Sequence, residues 1–138
     1  MVNNPNPRLG PTLICPKPLT TQNKSLGHRR LYDLAVVKAL IKIHSVVLIN
    51  DDAQEDAEKQ LNMSPQEVGR FIEQLSPDNY VNSQWCKTSV NKTVDCDSYT
   101  MRYNINKQQP WDRGRSIYVK FGFLPNLPKC VVCSVHEG

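Results

Sequence analysis

The spacing of apolar residues in this 138-residue chain changes once, and that change limits what it can fold into. Up to Leu75 apolar residues recur at helical spacing; beyond Tyr80 they alternate one by one. A 3.6-residue period buries one stripe of a helix, and a period of two buries one face of a strand. Helices followed by strands read as an α+β domain, with N-terminal helices packed on one face of a small antiparallel β-sheet.

The helical half divides at its own punctuation. Leu34, Val37, Leu40 and Ile41 share one face of a helix starting near Arg30, with Lys38 and Lys42 outside. Val46-Val47-Leu48-Ile49 is short and mostly β-branched, as in a strand or an extended connector. Asn50 or Asp51 can cap an acidic helix running to about Leu61, with Ala53, Ala57, Gln60 and Leu61 inward. The sharpest local signal is Ser64-Pro65-Gln66-Glu67, a capping Ser, a Pro at the first helical position and a Glu three residues on. Val68, Phe71, Ile72 and Leu75 complete that helix, and Ser76-Pro77-Asp78 ends it.

Three strands follow. Tyr99, Met101, Tyr103 and Ile105 alternate with polar residues, as do Ile117, Val119, Phe121 and Phe123, and then Val131, Cys133 and Val135. The loops between them, 108–114 and 124–126, are short enough for hairpins. Residues 1–27 read as a basic N-terminal tail, because five of the ten prolines stand at positions 5, 7, 11, 16 and 18. Residues 28–138 form the domain.

Composition excludes several classes. At 39% hydrophobic and 22% charged the chain is neither disordered nor membrane-embedded, and its longest apolar runs are four residues. The start lacks a basic and apolar leader pattern. Five cysteines, an odd number without scaffold spacing, fit free thiols in a cytoplasmic protein. Charge is unevenly placed: residues 1–30 carry five cations and no acid, residues 31–75 four against eight, and residues 76–138 eight against five. Two surfaces with different partners fit that pattern, as do solvated faces on acidic helices.

Alternation assigns the sheet faces. Ile117, Val119, Phe121, Val131, Cys133 and Val135 go to the helix side; Tyr118, Lys120, Ser134, His136 and Arg102 go to the opposite face. A phenol, an imidazole and two cations on one surface suit RNA phosphodiester cleavage without a cofactor or metal. Attack by a 2′-hydroxyl needs a base, an acid and cations for the charge gathering on phosphorus. In that scheme Tyr118 and His136 are catalytic, and Lys120 and Arg102 hold phosphate. The ordinary alternative is an exposed polar sheet face.

The chain also resembles a known family. The stretch 28–137 is similar to the MqsR-type (motility quorum-sensing regulator) toxins, RelE-like members of type II toxin–antitoxin systems. The resemblance runs through Leu31-Tyr32-Asp33-Leu34, Val37-Lys38-Ala39-Leu40-Ile41, Leu75-Ser76-Pro77-Asp78-Asn79-Tyr80, Ile117-Tyr118-Val119-Lys120 and Val132-Cys133-Ser134-Val135-His136-Glu137. It implies an mRNA endoribonuclease acting on single-stranded mRNA and held inactive by a separately encoded antitoxin. Tyr118 falls on the family's functional Tyr, and His136 stands where its final Lys is expected. Thr100 stands where the family has Gln, and Asn82 lies in the Tyr80-Val81-Asn82-Ser83 stretch where another Lys is expected. Both enter as substrate-binding candidates, with Lys87, Lys92 and Arg102 as replacement cations.

The cysteines carry a competing reading. Cys130-x-x-Cys133 with Cys86 and Cys96 counts to a four-thiolate zinc site. On a strand, positions i and i+3 face opposite ways, so buried free thiols are the default. Trp85 and Trp111 read as packing or loop anchors, with base stacking as the alternative.

Overall fold

A computed structural model of the chain describes residues 25–27, 29–89, 92–124 and 127–138. The tail reading for residues 1–24 and residues 125–126 of the 124–126 loop lie outside the described residues. Element order is β1 (Ser25–Gly27), α1 (Leu34–Ile43), β2 (Val47–Leu48), α2 (Asp51–Glu55) with a π-helical continuation Asp56–Gln60, α3 (Pro65–Glu73), a 3-10 turn (Pro77–Asn79), β3 (Tyr80–Ser89), β4 (Lys92–Asn104), β5 (Gln109–Pro110), β6 (Arg115–Phe123) and β7 (Cys130–Glu137).

Each helix begins at a side chain that satisfies a free amide. Asp33 caps α1 by accepting from Ala35 N at 3.0 Å, and Asn50 caps α2 by accepting from Ala53 N at 2.7 Å. The capping box of α3 is present, with Glu67 N donating to Ser64 Oγ at 3.2 Å and Ser64 N to Glu67 Oε1 at 3.0 Å. The expected faces of α1 and α3 are buried. Gln60 differs: it is exposed while Ala53, Ala57 and Leu61 point inward. The wider π turn, marked by Leu61 N bonding Asp56 O, keeps four-residue spacing on the inner stripe and rotates Gln60 away.

The sheet is larger than expected and not wholly antiparallel. Its order is β1-β3-β4-β6-β7-β2, with β5 alongside β4, and β2 runs parallel to β7. The 80–89 stretch, given no strand by its sequence pattern, is the long strand β3. One sheet face carries the helices over a core that includes Phe71, Ile72, Leu75, Tyr99, Ile117, Val119 and Phe121. A second, smaller cluster of Val94, Cys96, Val131 and Cys133 is separate from it.

That second cluster corrects the expected placement of Val131 and Cys133. Lys120 pairs with Ser134 but Phe121 pairs with Val132, so Cys133 is an extra residue on β7. Such a bulge reverses parity along the strand. Cys130 and Val132 therefore join the helix-side core, and Val131 and Cys133 leave it. His136 and Ser134 lie beyond the bulge and keep their expected side.

Gly122 marks a close approach of β6 to β4. A Cβ there would run into the Asp95 carbonyl oxygen and reach within 2.9 Å of Val94 Cγ2. Because the obstacle is backbone in mid-sheet, Gly122→Ala should destabilise the protein by about 1–3 kcal/mol. A urea midpoint lowered at constant slope would show it, and an unchanged midpoint would refute the tight approach.

Candidate functional site

The face of the sheet away from the helices is built on β6. Cross-strand register places Thr100, Tyr118 and His136 in one row across β4, β6 and β7. The next row is Asn82, Ser98, Lys120 and Ser134, and on the other side Arg102 stands opposite Ser116. Directly paired residues in adjacent strands project to the same side. All six candidates, Tyr118, His136, Lys120, Arg102, Thr100 and Asn82, thus share this face.

The Tyr118 and His136 rings stack, with centroids 5.0 Å apart and planes 24° from parallel, and both are half-buried. His136 Nδ1 lies 3.0 Å from the Glu137 carbonyl oxygen. A carbonyl only accepts, so this contact puts a proton on Nδ1 and leaves Nε2 as the basic nitrogen of the neutral ring.

Lys120 is 9% exposed, and among the described residues nothing bonds its ammonium. Its row neighbours Ser98 and Ser134 are neutral. Its stem is covered by the neighbouring strands, and no carboxylate among its row neighbours competes with an incoming anion.

Other members of the set are already engaged. Ser98 Oγ lies 2.7 Å from Asn82 Oδ1 and 3.0 Å from its carbonyl oxygen, and Gln84 Nε2 donates to Asn82 Oδ1 at 3.3 Å. Arg102 Nη1 donates to the Gly114 carbonyl at 3.0 Å. Lys87 lies five residues beyond Asn82 on β3 and has the opposite parity, so it does not join the face. The Lys92 side chain lies outside what the structure describes. Ser98, fully buried beside Lys120, was missed; its parity with Thr100 and Arg102 was the available signal.

The thiols do not assemble as a four-ligand set. Cys130 belongs to the helix-side core and Cys133 to the second cluster, where its Sγ meets Cys96 Sγ at 3.5 Å. Hydrogen bonding to Cys86 lowers the Cys133 thiol, but Cys96 and burial outweigh it and push its pKa up. Burial likewise pushes Cys130 up. Thiols of this kind stay protonated and inert. Among the described residues no group of three or more His, Cys, Asp or Glu is arranged to hold a metal ion. No helix among them is long and apolar enough to cross a membrane.

Another buried group anchors the fold instead. Asp97, on the helix side of β4, accepts from Leu31 N at 2.9 Å, Tyr32 N at 3.0 Å and Ser83 Oγ at 2.6 Å. Burial raises its carboxyl pKa above the ordinary value, against the lowering by these donors and Arg30. It has the parity of Tyr99 and Met101, the one signal in the sequence for its place on the inner face.

Compared with known proteins, the chain matches no family model, no curated protein and no solved structure.

Proposed function

We propose that this face binds single-stranded mRNA and cleaves it as a metal-independent endoribonuclease, the toxin of a cytoplasmic toxin–antitoxin pair. The observation that carries the reading is a stacked Tyr118–His136 pair one row from Lys120, whose ammonium has no partner among the described residues. The resemblance to MqsR-type, RelE-like toxins supports the same reading, as do helices confined to the opposite sheet face. The antitoxin is the partner that the resemblance adds.

The chemistry follows from the row. His136 Nε2 takes the proton of an RNA 2′-hydroxyl, whose oxygen bonds to the adjacent phosphorus. The bond from phosphorus to the 5′-oxygen breaks, and the Tyr118 hydroxyl protonates that leaving oxygen. Lys120 balances the charge on the non-bridging oxygens, and Thr100, in the row with both catalytic rings, can hydrogen-bond the phosphate. The products are a 2′,3′-cyclic phosphate and a 5′-hydroxyl end.

Incubation with a long single-stranded RNA, with and without EDTA, tests this directly. Fragments with those ends, formed equally in EDTA, are expected. Intact RNA beside folded protein would reject cleavage. A second reading, RNA binding without cleavage, is favoured by the prior engagement of Asn82 and Arg102 within the fold. Under either reading Lys120→Gln should weaken RNA binding and reduce the slope of log affinity against log salt by about 0.7. An unchanged slope would remove Lys120 from phosphate contact.

A further inference from the structure

A cleft of about 360 Å³ lies between the end of the π-helical stretch, the end of β4 and the 111–115 segment. Trp111 lines it and is 44% exposed, whereas Trp85 is 3% exposed. The segment that presents Trp111 is firmly held. Trp111 N donates to the Arg102 carbonyl at 3.1 Å, Gly114 N to the Trp111 carbonyl at 2.9 Å, and Arg102 Nη1 to the Gly114 carbonyl at 3.0 Å. Gly114 lies so close to β4 that a Cβ there would come within 2.6 Å of the Tyr103 carbonyl carbon. A large indole is thus kept exposed by a closed turn.

The rest of the lining has a consistent chemistry. Asn62 and Asn106 bring amides that can donate and accept. Arg113 brings a cation that pairs with nothing among the described residues, and the lining contains no carboxylate. An aromatic face, amides and a cation together match an unstacked base and its phosphate. The turn is tied by Arg102 to the sheet face described above. Along β6, Arg115 in the cleft is three residues from Tyr118, about 10 Å at strand rise. It has the opposite parity and donates to the Gln60 carbonyl on the helix side, so the cleft lies round the end of the sheet from the catalytic row. An RNA strand lying on the catalytic face reaches the cleft by passing round that end of the sheet.

We infer that the Trp111 cleft is a nucleobase subsite, taking an unstacked base of the single-stranded RNA whose phosphate lies at Lys120. This rests on the RNA reading given under Proposed function and adds where a base farther along the strand from the cut is read. The base stacks on the indole, Asn62 and Asn106 meet its edge, and Arg113 meets the phosphate of that same nucleotide, a different one from the phosphate at Lys120.

Single-stranded 2′-O-methyl RNA dodecamers, which lack the attacking hydroxyl, test binding to the unaltered protein without cleavage. Binding should quench Trp111 emission. Trp111→Leu should bind about 5- to 100-fold more weakly, the range for losing one base–aromatic stack, while Trp111→Phe keeps most of the affinity. An abasic dodecamer of the same backbone should not quench, and should bind Trp111→Leu and the native protein alike. Equal quenching by the abasic strand, or full affinity in Trp111→Leu, overturns the subsite and leaves the RNA reading standing. No binding of any dodecamer by the native protein overturns both. Quenching by a protein partner but not by RNA assigns the cleft to that partner and also overturns the subsite.

Discussion

Replacing Asp97 with Ala should lower the unfolding free energy by about 3–5 kcal/mol, since three buried donors lose their acceptor at once. Asp97 is 0% exposed and fastens Leu31 and Tyr32, just ahead of α1, to the middle of β4. Asp97→Asn should cost about 1.5 kcal/mol or less, because the amide keeps the shape, accepts from the two backbone amides and donates to Ser83 Oγ. Urea unfolding of the two variants separates the reading. Equal losses would mean that the charge, not the hydrogen-bonding shape, holds the segment.

The same residue gives a signed pH dependence. Burial raises the folded carboxyl pKa from the ordinary aspartate value of 3.8, so folding favours the protonated form. Its contribution to stability is fully present below the unfolded pKa and is lost as pH rises through the folded one. Relative to Asp97→Asn, the native protein should therefore lose stability on going upward from pH 3.8. A difference that grows with pH instead would mean that the donors outweigh burial.

His136→Ala should reduce RNA cleavage by about 10²- to 10⁴-fold, the usual scale for removing a general base. The variant loses Nε2 and the stack on Tyr118 together. Tyr118→Phe separates these effects, because it keeps a ring beside His136 and removes only the hydroxyl. A loss of similar order in Tyr118→Phe, with RNA affinity nearly unchanged in both, would place the two groups in proton transfer. Cleavage by His136→Ala at the native rate would remove the imidazole from the mechanism.

The helices and three of the strands were legible because their burial is apolar. Leu34 to Ile41 and Val68 to Leu75 bury hydrocarbon at helical spacing, and the period is visible in the residue types alone. β3 was not legible for the opposite reason. Ser83 is fully buried there, and what it buries against is the carboxylate of Asp97. With a polar Ser83 between Tyr80 and Trp85, the strand shows no sustained alternation of hydrophobicity. The bulge at Cys133 was hidden too, because an extra residue is defined only against a partner strand. It falls beyond Ser134, so the period of two still carried Tyr118, Lys120 and His136 to one face. The parallel pairing of β2, two residues long, left no local signal either.

The up-and-down run of β3, β4, β6 and β7 has a kinetic consequence. Every strand that carries the six face residues pairs with its neighbour in that run, so the face closes through successive hairpins at modest loop-entropy cost. The parallel ladder of β2 on β7 is different, and Asn50 Nδ2 reaches the Cys133 carbonyl across 83 residues of chain. Contacts of that sequence separation form slowly. Refolding followed by amide exchange should protect Thr100 and Tyr118 before Ile49, which makes the N-terminal half the late arrival to a sheet already in register.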